Sequence, residues 1–129
     1  LRNEIEKDFA IFYTEVTLGQ LVEIVSRSRR NIFPVINEDA ELEGIVMLDD
    51  IRQIMFEPNL YDEVKVKDVM SDFEEQVSSS DSMDLVMKKF NESGAWNLPV
   101  IDQGKYVGFV SKSKLFNAYR KILQDFSHA

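Results

Sequence analysis

The chain has 129 residues, of which 44% are apolar and 29% charged, and it carries a net charge of −8. That length gives room for a compact body with a real core. The longest apolar runs, such as IFPVI and IVML, fall far short of the roughly 18 residues a membrane span needs, so no direct membrane insertion of this chain is expected. There is no cysteine, which removes disulfides, thiolate metal sites and cysteine nucleophiles together and fits a reducing compartment. Residues 1–64 hold 6 basic and 14 acidic side chains, and residues 65–129 hold 9 of each. An acidic chain is a poor partner for nucleic acid or anionic lipid, where affinity rests on Lys and Arg meeting phosphates. The neutral second half still leaves room for a small anion. No secretion signal opens the chain, and a start at Leu1 reads as a piece of something longer.

EIEKDF, Glu4 to Phe9, comes first, followed by FAIFY, Phe9 to Tyr13, a candidate strand. TLGQLVEIV follows, with Leu18, Leu21, Val22 and Val25 at the spacing of one helical face and Thr17 with Gln20 as a capping box. RNIFPVIN, Arg30 to Asn37, is a short β-branched strand; NEDAE is a hairpin loop; GIVMLDDI, Gly44 to Ile51, is a strand running into a helix with Ile51, Ile54 and Met55 on one face. FEPNLYDEV, Phe56 to Val64, reads as a connection.

The same order then returns. DVMSDF echoes EIEKDF, and EEQVS, Glu74 to Ser78, is a second, poorer first strand. Met83, Val86, Met87 and Phe90 repeat the helical face at a shift of 65, behind a cap at Ser82 or Asp81. WNLPVID repeats the strand, with Pro99 falling on Pro34. DQGK is the second hairpin loop. GFVSKSKL repeats the strand-to-helix junction at a shift of 64, and Leu115, Ala118, Tyr119 and Ile122 form the last helical face. A duplication explains why the P-V-I strand occurs twice. The expected class is α/β (α+β): two βαββα repeats packed about a pseudo-twofold axis. Residues 1–64 form the first, with an N-terminal linker helix, and residues 65–129 form the second.

This pattern resembles a pair of CBS domains, the Bateman module, in nearly the whole chain. FPVI, then GIV, then a helix-opening Asp carry the resemblance in the first copy, and LPVI followed by GFV carry it in the second. The stretches RNIFPV, GAWNLPV and YVGFVSKSK are also similar to the cytoplasmic C-terminal tail of bacterial ClC-type chloride channels and chloride/proton antiporters. That resemblance implies a regulatory domain, not an enzyme. It would lie at the cytoplasmic face of the inner membrane, attached to a transmembrane ClC domain, and form a homodimer through apolar positions such as Leu85, Phe116 and Phe126. Three alternatives stay open: a ligand-free dimerisation scaffold, another transporter host such as a magnesium transporter, or a nucleotide-metabolism enzyme as host.

The resemblance also implies ATP, ADP or AMP as a regulatory ligand in clefts between the copies. A Ser or Thr before the second helix would donate to phosphate, an Asp three residues later would accept from ribose, and residues beside the Pro would flank the adenine. The candidate positions are Pro34, Asp50, Asn97, Pro99, Ser111 and Lys114. Each copy departs from the pattern. Met47 stands where the first copy needs a hydroxyl, and Lys114, which cannot accept, stands where the second needs an Asp. Lys114 and Lys112 suit phosphate instead.

Structural readings compete at every position. Asp49 and Asp50 open a helix, where carboxylates are favoured anyway. Ser111 and Ser113 suit caps. Lys112, Lys114, Arg120 and Lys121 suit a solvated face. Arg27, Arg29 and Arg30 sit where cations close a helix. Phe33 and Trp96 read as core or dimer contacts rather than adenine platforms, and His128 as tail. No metal ligand set, P-loop or nucleophile elbow is present in the sequence.

Overall fold

A computed structural model describes residues 1–127. His128 lies outside the described residues. Contacts gather the chain into two compact units rather than the single body its length suggests. One is Asp8–Phe73; the other joins Leu1–Lys7 to the residues from Glu74 onward. In both units the hairpin of one repeat is completed by the segment that precedes the other repeat.

In the unit Asp8–Phe73, α1 (Leu18–Arg27) opens on the expected capping box, with the Gln20 amide donating to Thr17 Oγ1 (3.2 Å) and the Thr17 amide donating to Gln20 Oε1 (3.1 Å). Its buried face is Leu18, Leu21 and Val25. β1 (Ile32–Ile36) pairs antiparallel with β2 (Leu42–Met47), and all five residues of β1 are buried. The core joins Phe12, Leu18, Leu21, Val25, Phe33, Val35, Val46, Ile51 and Val66.

In the other unit, α4 (Met83–Ser93) is capped by Ser82, whose Oγ accepts from the Leu85 amide at 3.2 Å, while Asp81 turns back to the Ser78 amide at 2.9 Å. β3 (Asn97–Asp102) pairs antiparallel with β4 (Lys105–Ser111), followed by α5 (Lys112–Ser127). Val77, Val86, Phe90, Leu98, Val100, Val110 and Leu115 form its core. Gln103 and Gly104, at φ 52° and 77°, make the tight turn of the hairpin.

The registers are equivalent. Pro34 pairs with Ile45 and Val35 with Gly44; Pro99 pairs with Phe109 and Val100 with Gly108; each ladder then slips by one residue. The expected first strands shrink to single bridging residues. The Phe12 amide donates to the Pro34 carbonyl (3.0 Å) and the Ile36 amide to the Phe12 carbonyl (2.9 Å); Val77 does the same with Pro99 and Ile101 (3.0 and 2.8 Å). Pairing stops there because the chain turns at once, through Tyr13–Val16 in one unit and Ser78–Asp81 in the other.

Two further differences have local causes. The helix expected to carry Ile51, Ile54 and Met55 ends after one turn, as α2 (Leu48–Ile51). The Ile54 amide bonds Ile51 at i−3, the Met55 carbonyl is taken by the Tyr61 hydroxyl, and Pro58 biases Glu57 away from the helical region. At the N-terminus a 3₁₀ turn, Arg2–Glu4, stands where a linker helix was expected; Ile5 is already extended, so that Glu6 can pair with β4. A one-turn helix, α3 (Val66–Val69), likewise precedes Ser71, which bridges Ile45.

Candidate ligand site

Each β-hairpin ends in a junction that turns straight into a helix, and the two junctions are register-equivalent. Met47 pairs with Ile32 at the end of β2, and Ser111 pairs with Asn97 at the end of β4. Two of the predicted residues, Asn97 and Ser111, are therefore brought side by side.

Around Met47 the structure leaves a depression of about 280 Å³, lined by Asn31, Met47, Leu48, Asp49 and Arg52. That is near the small end of ligand pockets, which start at roughly 300 Å³. The Met47 side chain is exposed, and the Leu48 amide is already bonded to the Asn31 carbonyl at 2.9 Å. Asp49 is paired with Arg52, which points its guanidinium across the helix start. Asp50 is exposed, and one carboxylate oxygen accepts from the Ser71 hydroxyl at 3.4 Å. Pro34 is buried in mid-strand, its carbonyl bonded to Phe12. It shapes the strand and offers little surface to a ligand.

At the second junction Ser111 acts as the cap of α5, its Oγ accepting from the Lys114 amide at 3.2 Å. The Lys112 amide donates to the Trp96 carbonyl at 2.9 Å, and its ammonium lies 5.4 Å from the Trp96 ring. Lys114 Nζ lies 3.9 Å from Glu6 Oε1. Arg120 covers Phe116. Pro99 is buried like Pro34. Trp96 is 73% exposed, which corrects the core half of its core-or-dimer reading: the continuous buried run of β3 begins only at Leu98, two residues on. Phe33 is fully buried. Of the arginines at and just beyond the C-terminus of α1, Arg27 pairs with Glu23, and Arg30 bonds Asp8 and covers the Phe9 ring at 4.3 Å.

A second depression, about 600 Å³, lies at the other end of β1 between Tyr13–Glu15 and Ile36–Glu38. Glu15 there is held by Lys65 (2.8 Å) and Lys67 (3.1 Å), and the hydrogen bond from Lys65 lowers its pKa. At the equivalent place of the other unit, Asp102 accepts from the Ser79 hydroxyl (2.6 Å), the Ser79 amide (2.9 Å) and the Ser78 hydroxyl (2.9 Å). These bonds, the Ser79 hydroxyl first, lower the Asp102 pKa, so its tie is complete above the ordinary carboxylate range and weakens as pH falls through its folded value.

Two residues at the junctions escaped the sequence reading: Glu6 and Ser71. Each pairs its backbone with a β-strand, and each sends its side chain to the residue three positions past the strand end, Lys114 and Asp50. Among the described residues no His, Cys, Asp or Glu group is placed to hold a metal ion, and no helix is long and apolar enough to cross a membrane.

A family model described as CBS domain matches residues 3–57 and again 66–121. The chain belongs to the CBS domain family. Solved CBS structures share its fold. One is the CBS domain of a CBS domain containing membrane protein from Sphaerobacter thermophilus, with 17% identity and a TM-score of 0.76 over 90% of this chain and 85% of that one. CbpB in complex with c-di-AMP gives 19% and 0.76 over 99% and 89%; CBSX2 in complex with AMP gives 20% and 0.75 over 93% and 95%. Among curated proteins, a homoserine O-acetyltransferase of Methanosphaera stadtmanae is 26% identical over 106 residues. That match takes in 81% of this CBS chain and 21% of the relative, so the chain spans about a fifth of its length.

Proposed function

We propose that this CBS pair is a regulatory domain that senses an adenine nucleotide, ATP, ADP or AMP, and serves a ClC-type chloride channel or chloride/proton antiporter. The observation that carries the ligand reading is the chemistry at the two register-equivalent junctions, each taken by itself. Asp50 offers an exposed acceptor suited to ribose hydroxyls, and Ser111, Lys112 and Lys114 gather donors suited to phosphate at the start of α5. The AMP and c-di-AMP complexes of CBSX2 and CbpB support the same ligand class.

Titration calorimetry with each nucleotide tests it. Binding is expected, and Asp50→Ala should weaken it by roughly 10-fold or more, since a hydrogen bond to a charged group contributes about 1.5–3 kcal/mol. Silence of the wild-type protein up to millimolar nucleotide rejects the sensor and leaves the scaffold reading.

The host assignment rests on RNIFPV, GAWNLPV and YVGFVSKSK, and the membrane-protein origin of the Sphaerobacter relative is in keeping with it. The location is then the cytoplasmic face of the membrane. The gene upstream of Leu1 decides this: a run of apolar helices fits, and an acyltransferase domain there refutes it. Homodimerisation through the exposed Leu85, Phe116 and Phe126 belongs to the same reading. Leu85→Asp should lower the mass seen by light scattering toward that of the monomer; an unchanged dimer mass removes that surface from the interface.

A further inference from the structure

The structure assigns Glu6 a role at the second junction: we propose that it is a resident competitor for Lys114, which an anionic ligand must displace, loosening the segment Leu1–Lys7 as it binds. The inference extends the nucleotide reading above but needs only the phosphate end of the ligand.

The geometry is specific. Glu6 exchanges two backbone hydrogen bonds with Phe109, amide to carbonyl at 2.8 Å and back at 3.0 Å. That fixes its side chain beside the start of α5, where its carboxylate meets Lys114 at 3.9 Å. Lys114 is the one position at which this copy exchanges the family's Asp for a cation, so the competitor faces the residue that would otherwise take phosphate. The other unit repeats the arrangement independently. Ser71 exchanges backbone hydrogen bonds with Ile45 (2.9 and 2.8 Å), and its hydroxyl reaches Asp50. A shift of 65 carries Glu6 onto Ser71. In each unit the segment crossing the hairpin, a strap through Glu6 in one and through Ser71 in the other, bears the chemistry its junction wants: a carboxylate for Lys114 and a hydroxyl for Asp50. The strap thus imitates a ligand group at both places, phosphate in one and a sugar hydroxyl in the other. Whatever fills the site takes over that contact, and the strap loses a side-chain anchor while its backbone pair remains.

Two measurements on the whole chain test this. Without ligand, the Glu6 amide should exchange with deuterium roughly two- to fivefold faster in Glu6→Gln and in Lys114→Gln than in wild type, the size expected for an exposed ion pair. Unchanged exchange in both variants overturns the anchoring role. With inorganic tripolyphosphate as the probe, Glu6→Gln should bind severalfold tighter than wild type and Lys114→Gln should not bind. Equal affinity in wild type and Glu6→Gln, or no binding to either, overturns the competition. ATP separates the two claims. Tripolyphosphate tightened by Glu6→Gln with no ATP bound sinks the adenine reading and leaves Glu6 in its role. ATP bound equally by wild type and Glu6→Gln does the reverse.

Discussion

Phe33→Ala should lose about 3–5 kcal/mol of stability, the usual cost of emptying a buried aromatic site. Phe33 is fully buried, and its ring meets the Phe12 ring edge-on at 5.8 Å and 82°. Phe12 is the residue through which the vestigial first strand bridges β1, so the cavity would open between β1 and the neighbour that, among the described residues, pairs with it on that side. A domain of this size is commonly stable by about 5–15 kcal/mol, so the loss is a large share of the whole. Trp96→Ala is the control. Sequence reasoning grouped Phe33 and Trp96 together, but Trp96 is 73% exposed, with the Lys112 ammonium 5.4 Å from its ring. Its replacement should fall within about 0.5 kcal/mol of wild type. Chemical denaturation of both variants checks this, and equal losses would contradict the burial that separates them.

That contrast shows what the residues reveal and what they withhold. Periodicity identified the buried faces of α1 and α4 because each must cover a hairpin, and the caps at Thr17 and Ser82 are chemical requirements of a helix start. The P-V-I strands were legible for the same reason: a continuous β-branched run suits burial on both faces. A large aromatic residue beside such a strand gives no comparable sign. Trp96 sits one residue before β3, outside the buried run Leu98–Val100.

EIEKDF aligns with DVMSDF at a shift of 64, which places Glu6 on Met70. The backbone pairs instead place Glu6 on Ser71, at 65. In an extended segment, one residue of register turns every side chain to the other face. The Glu6–Lys114 and Ser71–Asp50 contacts were therefore invisible from the echo. Nor did the sequence reveal that each strap serves the hairpin of the other repeat, because that choice rests on backbone pairing and not on any local pattern. Asp50, Ser111 and Lys114 were found as positions. Their present partners, which decide how available they are to a ligand, were not.

Gly108 and Gly44 carry the one trace the straps leave in the sequence, and they give the second large prediction. A Cβ on Gly108 would stand 2.4 Å from the Glu6 carbonyl oxygen and 3.0 Å from the Ile5 side chain. The first obstacle is backbone and cannot rotate away. Gly108→Ala must therefore push Leu1–Lys7 off β4, breaking both Glu6–Phe109 hydrogen bonds at roughly 0.5–1.5 kcal/mol each and uncovering Leu1 and Ile5, which pack on the core. With the apolar surface added, the loss should reach about 2–4 kcal/mol. At Gly44 the nearest atoms are the Met70 sulfur at 2.9 Å and the Ser71 carbonyl oxygen at 3.0 Å. A thioether can swing aside, and the oxygen need yield only a few tenths of an ångström, so Gly44→Ala should cost about half as much. Urea unfolding of the two variants gives the comparison, and deuterium exchange at residues 1–7 reports the displacement directly. If Gly108→Ala unfolds with wild-type stability and its first seven residues stay protected, the close crossing of Glu6 over β4 is wrong, and the competitor role of Glu6 falls with it.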